Sequence, residues 1–247
     1  MSESQDIESV CETIEKDYSP CDVSDALLKL GIPSAGYLRD IVPLPTRLGS
    51  HTRIVAPIST VLFVDKTHKP GSTYRGLDVP SETNLPPDKH FTDIAPSGSA
   101  VIMQQPSHQT AALVGDIVAT RFKVRGISSI VIDGRVRDVV GCGELCKDDK
   151  LQVWSKAISS SGTSLEAKPW AVDVPLRIGE VVVKPGDVLV ADEGEMVCCV
   201  IPKERLGDVM GLLPKHKKAD DGLLQDVQNG MGFKEAIKRW PGHYTNH

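Results

Sequence analysis

The sequence predicts a single α/β domain of layered mixed sheets. Strands and helices alternate through the middle of the chain, a β-rich stretch follows residue 140, and no segment of 20–50 residues is repeated. Of the 247 residues, 40% are apolar, which is enough for a sizeable core. Only 4% are aromatic, so Val, Ile, Leu and Ala must fill that core.

Residues 1–247 are predicted to form one domain. Its first third is expected to contain a helix, a strand and one long loop. Residues 1–18 form a polar, acidic N-terminal extension. Residues 22–30, DVSDALLKL, carry apolar side chains at helical spacing and precede a glycine and a proline, which predicts a short helix. Residues 52–65 predict one or two strands. The polar loop at 66–93 is long for a compact domain, so it is either functional or an insertion.

The middle of the chain predicts a strand, a helix and a second strand. The strand is expected at 99–105 and the helix at about 109–125, with Gly126 as its left-handed cap. Residues 127–134, ISSIVIDG, are almost continuously apolar, which is typical of a strand covered on both faces. Its Asp-Gly end predicts a turn.

The remainder is β-rich and then helical. Residues 151–157 predict a strand, and 177–202 predict a series of short strands with turns at Pro185-Gly186 and Glu193-Gly194. The C-terminal segment, 203–247, is expected to be helical. Two helices are predicted there, at 203–212 and 219–239, and the second is expected to break at Asn229-Gly230.

Composition excludes several classes of function. The net charge of -5 implies no basic face, so nucleic acid is not expected as a partner. The sequence has no run of 18 apolar residues, so no membrane span is expected. The N-terminus lacks a signal-peptide core, so a cytoplasmic location is expected. The six cysteines form no C-x-x-C pair, which favours reduced, buried thiols over structural zinc.

Charged residues surround the turn that follows the apolar strand. A helix that packs back on its sheet returns the chain to the same edge, so Asp116 and Arg137 are expected near each other. Ligands bind at that edge in α/β sheets. The backbone N–H groups of Gly115, Asp116, Ile117 and Val118 lie at or near a helix start or a break in the helix, where they would hold a carboxylate. Arg137 would bind the same anion through two donors.

Two acids beside this anion site imply a cation. Asp116 and Asp138 would repel an anion unless a metal mediates, and Mg²⁺ takes oxygen ligands from one or two carboxylates and from substrate. The sequence therefore predicts an anion-plus-metal site. A solvated turn with surface ion pairs is the alternative.

The same residues resemble a family signature. Gly115-Asp116 followed by Asp133-Gly134-x-x-Arg137-Asp138 is similar to the RraA-like proteins, which include class II pyruvate aldolases that cleave 4-hydroxy-4-methyl-2-oxoglutarate and 4-carboxy-4-hydroxy-2-oxoadipate. CDVSDALLKLG is similar to the family's N-terminal helix, and VKPGDVLVADEGEMVCCVIP to its strand pair. The resemblance implies a swivelling β/β/α fold assembled as a homotrimer or homohexamer.

The resemblance also implies roles for individual residues. Asp138 would bind Mg²⁺ or Mn²⁺ directly, and Asp116 would do so through water. Arg137 would bind the carboxylate or keto oxygen of the substrate, and the N–H groups of 115–118 would bind its pyruvyl part. Asp220 or Asp221, preferably Asp221 through water, would complete the site of a neighbouring subunit.

The implied activity is cleavage of a 4-hydroxy-2-oxo acid to pyruvate and a second oxo acid, with oxaloacetate decarboxylation as a second activity. Lys123 is a poor candidate for an imine because it lies two helical turns from the site. His108 is a possible general base or an incidental surface residue. Two alternatives stay open: a regulator that binds a ribonuclease, and an enzyme for a different 2-oxo acid whose pocket is reshaped by the 66–93 loop.

Overall fold

The computed structural model describes residues 3–44, 52–69 and 72–241. The α-helices in these ranges are α1 (Glu3–Asp17), α2 (Pro20–Lys29), α3 (Asp116–Val124), α4 (Val139–Leu145), α5 (Leu206–Gln228) and α6 (Phe233–Arg239). The strands are β1 (Val42–Leu44), β2 (Arg53–Asp65), β3 (Thr73–Tyr74), β4 (Leu77–Asp78), β5 (Ala100–Gln104), β6 (Ala112–Val114), β7 (Ser129–Val136), β8 (Gln152–Ile158), β9 (Ala167–Val172), β10 (Leu176–Ile178), β11 (Val181–Val183), β12 (Val188–Asp192) and β13 (Val197–Ile201).

Nine of the described strands form one mixed sheet, which confirms the predicted fold class. Its path runs β1-β8-β7-β5-β2-β12-β13, with β6 paired to β7 and β9 paired to β2. Strands β2, β5, β7 and β8 are mutually parallel, as are β6 and β7. Because parallel strands end at one edge, the segments that follow β5, β6, β7 and β8 meet there.

The sheet curls around an inner core and carries helices outside. The inner core includes Val131 and Trp154 and is closed by the β10–β11 hairpin. The opposite face of the parallel strands packs on α3 and α4, through residues such as Ile130 and Phe122. The outer face of β12 and β13 packs on α1, α2 and α5. None of the helices in the described ranges has the length and apolar character that a membrane crossing requires.

The helix predicted at 109–125 is wrong in its first part. Residues 112–114 are the buried strand β6, which pairs with β7, and the helix begins only at Asp116. Gly115 between them is extended (φ -124°, ψ -175°), so it separates the two elements. The predicted left-handed cap is confirmed, since Gly126 has φ +77° and its N–H donates to Lys123 O at 2.9 Å.

The turn predicted at Asp133-Gly134 is also wrong. β7 continues to Val136, and the pairing with β8 shifts between Ile132 and Arg135, so β7 has one extra residue there. The Asp-Gly pair therefore forms a β-bulge, a feature that bends a strand and re-aims its side chains. A side chain at Gly134 would clash, because its Cβ would lie 2.1 Å from Gln105 Oε1.

The 66–93 loop, apart from residues 70–71 outside the described ranges, is folded against the sheet. Its β3–β4 hairpin turns through Arg75 (φ +50°) and Gly76 (φ +77°), the left-handed pair of a type I′ turn. Farther along, Asn84 Nδ2 donates to Val172 O at 2.7 Å, and Val172 N donates to Asn84 Oδ1 at 2.8 Å.

Several helices differ from the predicted bounds. The N-terminal extension contains α1, and α2 begins at Pro20 because Ser19 and Asp22 form a capping box. The two predicted C-terminal helices at 203–212 and 219–239 are joined across Pro214 into α5, and the break at Asn229-Gly230 is confirmed. The buried residues of α5 recur at helical spacing along one face of the helix: Leu206, Val209, Leu213, His216, Ala219 and Leu223. Residues 242–247 of the predicted helical segment lie outside the described ranges.

The remaining predicted strands are present. Residues 52–65 form a single strand, β2, and 151–157 correspond to β8. The stretch at 177–202 contains β11, β12, β13 and most of β10, with both predicted turns between strands. Helix α4 and strands β1 and β9 are additional elements that the sequence pattern did not predict.

Candidate active site

The N-terminus of α3 faces the edge where the parallel strands end. Gly115 is its N-cap, and Ala119 N donates the first helical hydrogen bond, to Gly115 O at 2.9 Å. The N–H groups of Asp116, Ile117 and Val118 belong to the first helical turn, which has no carbonyl partners within its own helix. Together with the positive end of the helix dipole, these groups suit an anion.

Arg137 and Asp138 follow β7 directly. Arg137 N donates to Val114 O at 2.9 Å, which ties this segment to the end of β6. Asp138 has a left-handed backbone (φ +54°) and precedes α4, and its carbonyl accepts the N–H of Cys142 at 2.9 Å. A left-handed non-glycine residue is unfavourable unless its surroundings hold it, and such residues concentrate at functional sites.

Three glycines permit these charged side chains to converge. A Cβ on Gly115 would lie 2.5 Å from Asp138 Oδ2 and 3.2 Å from Arg137 Nε. A Cβ on Gly162 would lie 3.2 Å from Arg137 Nη1, and one on Gly141 would lie 2.8 Å from Asp116 Oδ2. The bare backbone of each glycine therefore forms part of the site wall.

The predicted residues 115–118, Arg137 and Asp138 are thus brought to one place. Arg137 Nε lies 3.3 Å from Asp138 Oδ2, and both side chains are nearly half exposed (43% and 45%). Such an exposed pair contributes little to stability. The arrangement leaves both side chains accessible to a ligand.

Cys142 lies close enough to the carboxylates of Asp116 and Asp138 for both to affect its thiol. Burial, with smaller effects from Cys146, Asp116 and Asp138, raises the pKa of its thiol to about 12. A raised pKa favours the protonated thiol at neutral pH, the form that is a poor nucleophile.

The donor set suits a hard cation with few protein ligands. Within the described ranges, no group of three or more His, Cys, Asp or Glu side chains is arranged to hold a metal. Asp138 and Asp116 offer oxygen donors beside an arginine, which fits Mg²⁺, an ion that keeps several waters and binds one or two carboxylates. These residues do not fit zinc, which is usually held by three or four nitrogen or sulfur ligands.

The predicted C-terminal acids lie elsewhere in the chain. Asp221 is on α5, where Lys217 Nζ approaches its Oδ1 at 3.0 Å, and it is well exposed. α5 packs on α2 and α6, on the β12–β13 side of the molecule. Asp220 and Asp221 are therefore on a different face from Asp138, and only a second subunit would bring them to this site.

Two other sequence candidates have structural partners. Lys123 Nζ donates to Leu145 O at 2.6 Å and pairs with Asp148 at 2.9 Å, so it links α3 to the end of α4. His108 is exposed and lies 3.0 Å from Asp65 Oδ1. Neither contact involves Arg137 or Asp138.

The sequence interpretation included Gly115 but missed the other two glycines that shape the site, Gly141 and Gly162. Gly141 follows Asp138 by three residues, and Gly162 lies in the serine-rich stretch SSSGTS at 159–164. Glycines close to a charged motif, where a backbone must approach a side chain, were the available signal.

We expect Gly115→Ala to impair the site without unfolding the protein. Its φ of -124° is open to alanine. The new Cβ would displace the flexible carboxylate of Asp138, at 2.5 Å, rather than backbone. We predict a melting temperature within about 3 °C of wild type and a loss of turnover of about tenfold or more. Thermal melts and steady-state rates on one preparation measure both, and an unchanged rate would contradict the assigned orientation of Asp138.

Comparisons with known proteins agree on one family. The family model described as RraA-like, Aldolase/RraA, matches residues 20–197. A protein of Halalkalibacterium halodurans named "Putative 4-hydroxy-4-methyl-2-oxoglutarate aldolase" is 28% identical over 187 residues, which cover 73% of this chain and 83% of the relative.

Solved structures support the same fold. An uncharacterised protein from Pseudomonas syringae pv. tomato superposes with a TM-score of 0.71 at 23% identity, over 93% of this chain and 96% of its own. RraAS2 of Streptomyces coelicolor, described as an unusual member of the RNase ES inhibitor RraA protein family, gives 0.66 at 24% identity, over 86% and 95%.

Proposed function

The chain belongs to the RraA-like family, and from that premise we propose that it is a divalent-metal-dependent pyruvate aldolase. The substrate would be a 4-hydroxy-2-oxo acid, cleaved to pyruvate and a second oxo acid. The observation that carries the proposal is the convergence of Asp116, Arg137 and Asp138 around the bare backbone of Gly115. The name of the Halalkalibacterium halodurans relative points to the same reaction.

Each residue of the cluster has a task in that cleavage. The N–H groups of residues 116–118 hold the C1 carboxylate of the substrate. Asp116 acts as the base through a water, which takes the proton of the C4 hydroxyl as one of its own protons passes to the Asp116 carboxylate. The C3–C4 bond then breaks, its electron pair passes to C3, and negative charge develops on the C2 oxygen. Arg137 stabilises that charge, and the proton held by Asp116 returns through water to C3, which releases pyruvate.

Asp138, with Asp116 through water, would hold Mg²⁺ or Mn²⁺. The bound ion would supply Lewis-acid polarisation of the 2-oxo group. Oxaloacetate would pass through the same pyruvate enolate, with loss of CO₂ in place of the second oxo acid, and is the expected second substrate.

The exposed surface beside the cluster supports a subunit interface there. Ile117 is 81% exposed and Val140 is 82% exposed, and each adjoins a proposed site residue. Ile158, at the end of β8, is also exposed. Large apolar side chains grouped on a surface are typical of interfaces. We therefore propose a homotrimer or homohexamer in which a neighbouring subunit completes the site.

Pyruvate release tests the function. We propose to assay oxaloacetate and a series of 4-hydroxy-2-oxo acids with coupled pyruvate detection, with added Mg²⁺, with Mn²⁺, and after chelation. Metal-dependent pyruvate formation is expected. If no substrate in the series yields pyruvate with either metal, the aldolase proposal fails and a regulator of the kind named for RraAS2 becomes the better account.

A shared site predicts complementation between two inactive variants. Asp221→Asn should remove the acid that one subunit lends, and Arg137→Ala the arginine that the other contributes. After random exchange of equal amounts, roughly a quarter of the interfaces would combine two intact halves, and activity should return to that extent.

Subunit exchange must be demonstrated independently, for example by mass spectrometry of differently labelled variants. Asp220→Asn is the parallel variant, which tests whether the adjacent acid has this role. If exchange is complete and no activity returns with either acid variant, the site is not shared through these residues.

A further inference from the structure

A second group of charges lies on the other side of β7. Side chains alternate along a strand, and Val131 faces the inner core whereas Ile132 faces α3 and α4. Asp133, two residues after Val131, therefore leaves β7 on the inner side. It is 1% exposed. This places it on the face opposite the helices that carry the Arg137 site.

The buried carboxylate of Asp133 is held by three side chains. Arg75 Nη1 lies 2.5 Å from Oδ2, and Lys156 Nζ lies 2.5 Å from Oδ1. Gln104 Nε2 donates to Oδ2 at 2.7 Å. Arg75 and Lys156 are 22% and 30% exposed, so the group extends from the interior to the surface.

A pocket of about 230 Å³ opens beside this group. It lies at the edge where β5, β7 and β8 end, which is the usual place for ligands in parallel sheets. Its charged lining residues are Arg75, Arg135, Lys156 and Asp133. Three cations against one carboxylate give the pocket a net charge of about +2, in a chain whose net charge is -5. A single carboxylate, Asp133, offsets only part of this positive charge, and the excess attracts anions.

One of these cations, Arg75, has an unfavourable backbone conformation. Arg75 occupies the first central position of a type I′ turn with φ +50°, where Asn, Asp or Gly is usual. The 66–93 loop thus delivers an arginine, in an unfavourable conformation, to a buried acid of the sheet. Strain of this kind persists where the surroundings fix it and is concentrated at ligand sites.

We propose that this pocket binds the oxyanion group, carboxylate or phosphate, of a small molecule. Its volume is below the roughly 300–1,000 Å³ of pockets for drug-sized ligands, which fits a small metabolite. Arg135 and Lys156 supply the charge, and Arg75 closes the wall. The inference is independent of the aldolase proposal, because none of these residues belongs to the Arg137 cluster.

Calorimetric titration with inorganic phosphate and, separately, with succinate tests the pocket. Ser107 is exposed and lines the pocket mouth, so Ser107→Glu adds a negative charge without disturbing the core. We expect saturable binding of at least one probe, weakened about tenfold or more by Ser107→Glu and much less by the isosteric Ser107→Gln. Arg135→Gln should weaken it similarly.

Two further variants separate this pocket from other sites. Arg39→Gln removes an exposed arginine elsewhere and should leave affinity unchanged. Arg137→Gln should leave the binding that depends on Arg135 and Ser107 unchanged, whatever it does to anion binding at the Arg137 cluster or to catalysis. Whichever of the two probes binds shows whether the oxyanion group of the ligand is a phosphate or a carboxylate. The proposal is overturned if neither probe binds saturably, if Ser107→Glu and Ser107→Gln behave alike, or if binding is lost only in Arg137→Gln.

Discussion

Asp138→Ala should lower metal-dependent pyruvate release by at least about 1,000-fold, because it removes the direct ligand of the proposed ion and with it the stabilisation of the enolate. Added metal should not restore the rate, since one or two carboxylates supply all the protein ligands of such a site. The fold should survive. The side chain is 45% exposed, and its ion pair among the described residues is with the similarly exposed Arg137.

The stability of this variant is itself informative. Asp138 has φ +54°, a conformation that alanine adopts less readily than aspartate. We therefore expect a cost in the free energy of unfolding of about 1 kcal/mol, far below what would unfold a domain of this size. Asp138→Asn retains the side-chain shape and loses the charge, so it separates the backbone effect from the loss of the ligand.

Two comparisons fix the interpretation. Asp116→Ala should be milder than Asp138→Ala, because its proposed contact with the ion is through water. Asp208→Ala removes an exposed acid paired with Arg205, far along the sequence, and should leave the rate unchanged. Full activity in Asp138→Ala, or in wild type stripped of metal, would rule out the proposed role of Asp138.

The part of the site that follows from local rules was predictable. A strand, a helix and a parallel strand return the chain to one edge of a sheet, so Asp116 and Arg137 could be placed together from their order alone. The start of helix α3 could not be predicted in this way. Ala112–Val114 lie fully buried beside β7, and a three-residue strand is too short to have a period that distinguishes it from a helix.

Long-range contacts account for what the sequence did not predict. Asp133-Gly134 has the composition of a turn, but Gln105 Oε1 accepts the N–H of Arg135 at 3.0 Å across the neighbouring strand and holds the bulge in place. The contact of Arg75 with Asp133 spans 58 residues. No periodicity links a loop arginine to a strand carboxylate, so the role of the 66–93 loop emerges only from the packed structure.

Arg137→Lys should lower kcat by about 100-fold or more, the effect of removing one preorganised donor, which corresponds to about 2.7 kcal/mol of transition-state stabilisation. Lysine keeps one positive charge, but it lacks the planar fork that reaches two oxygens at once. The surroundings are shaped for that fork, since the guanidinium lies against Gly162 at its Nη1 end and against Gly115 at Nε.

A structural role for Arg137 would give a different result. If it only shaped the junction between β7 and α4, Arg137→Lys would reduce the folded fraction and leave kcat per folded molecule unchanged. Measuring kcat and KM against the folded fraction, determined by circular dichroism, distinguishes the two. Arg205→Lys, at a surface pair of the same kind, is the matched control and should change neither quantity. Because Arg137 would stabilise charge that develops only as the bond breaks, kcat should fall more than KM rises. A change confined to KM would assign Arg137 to ground-state binding of the substrate carboxylate instead.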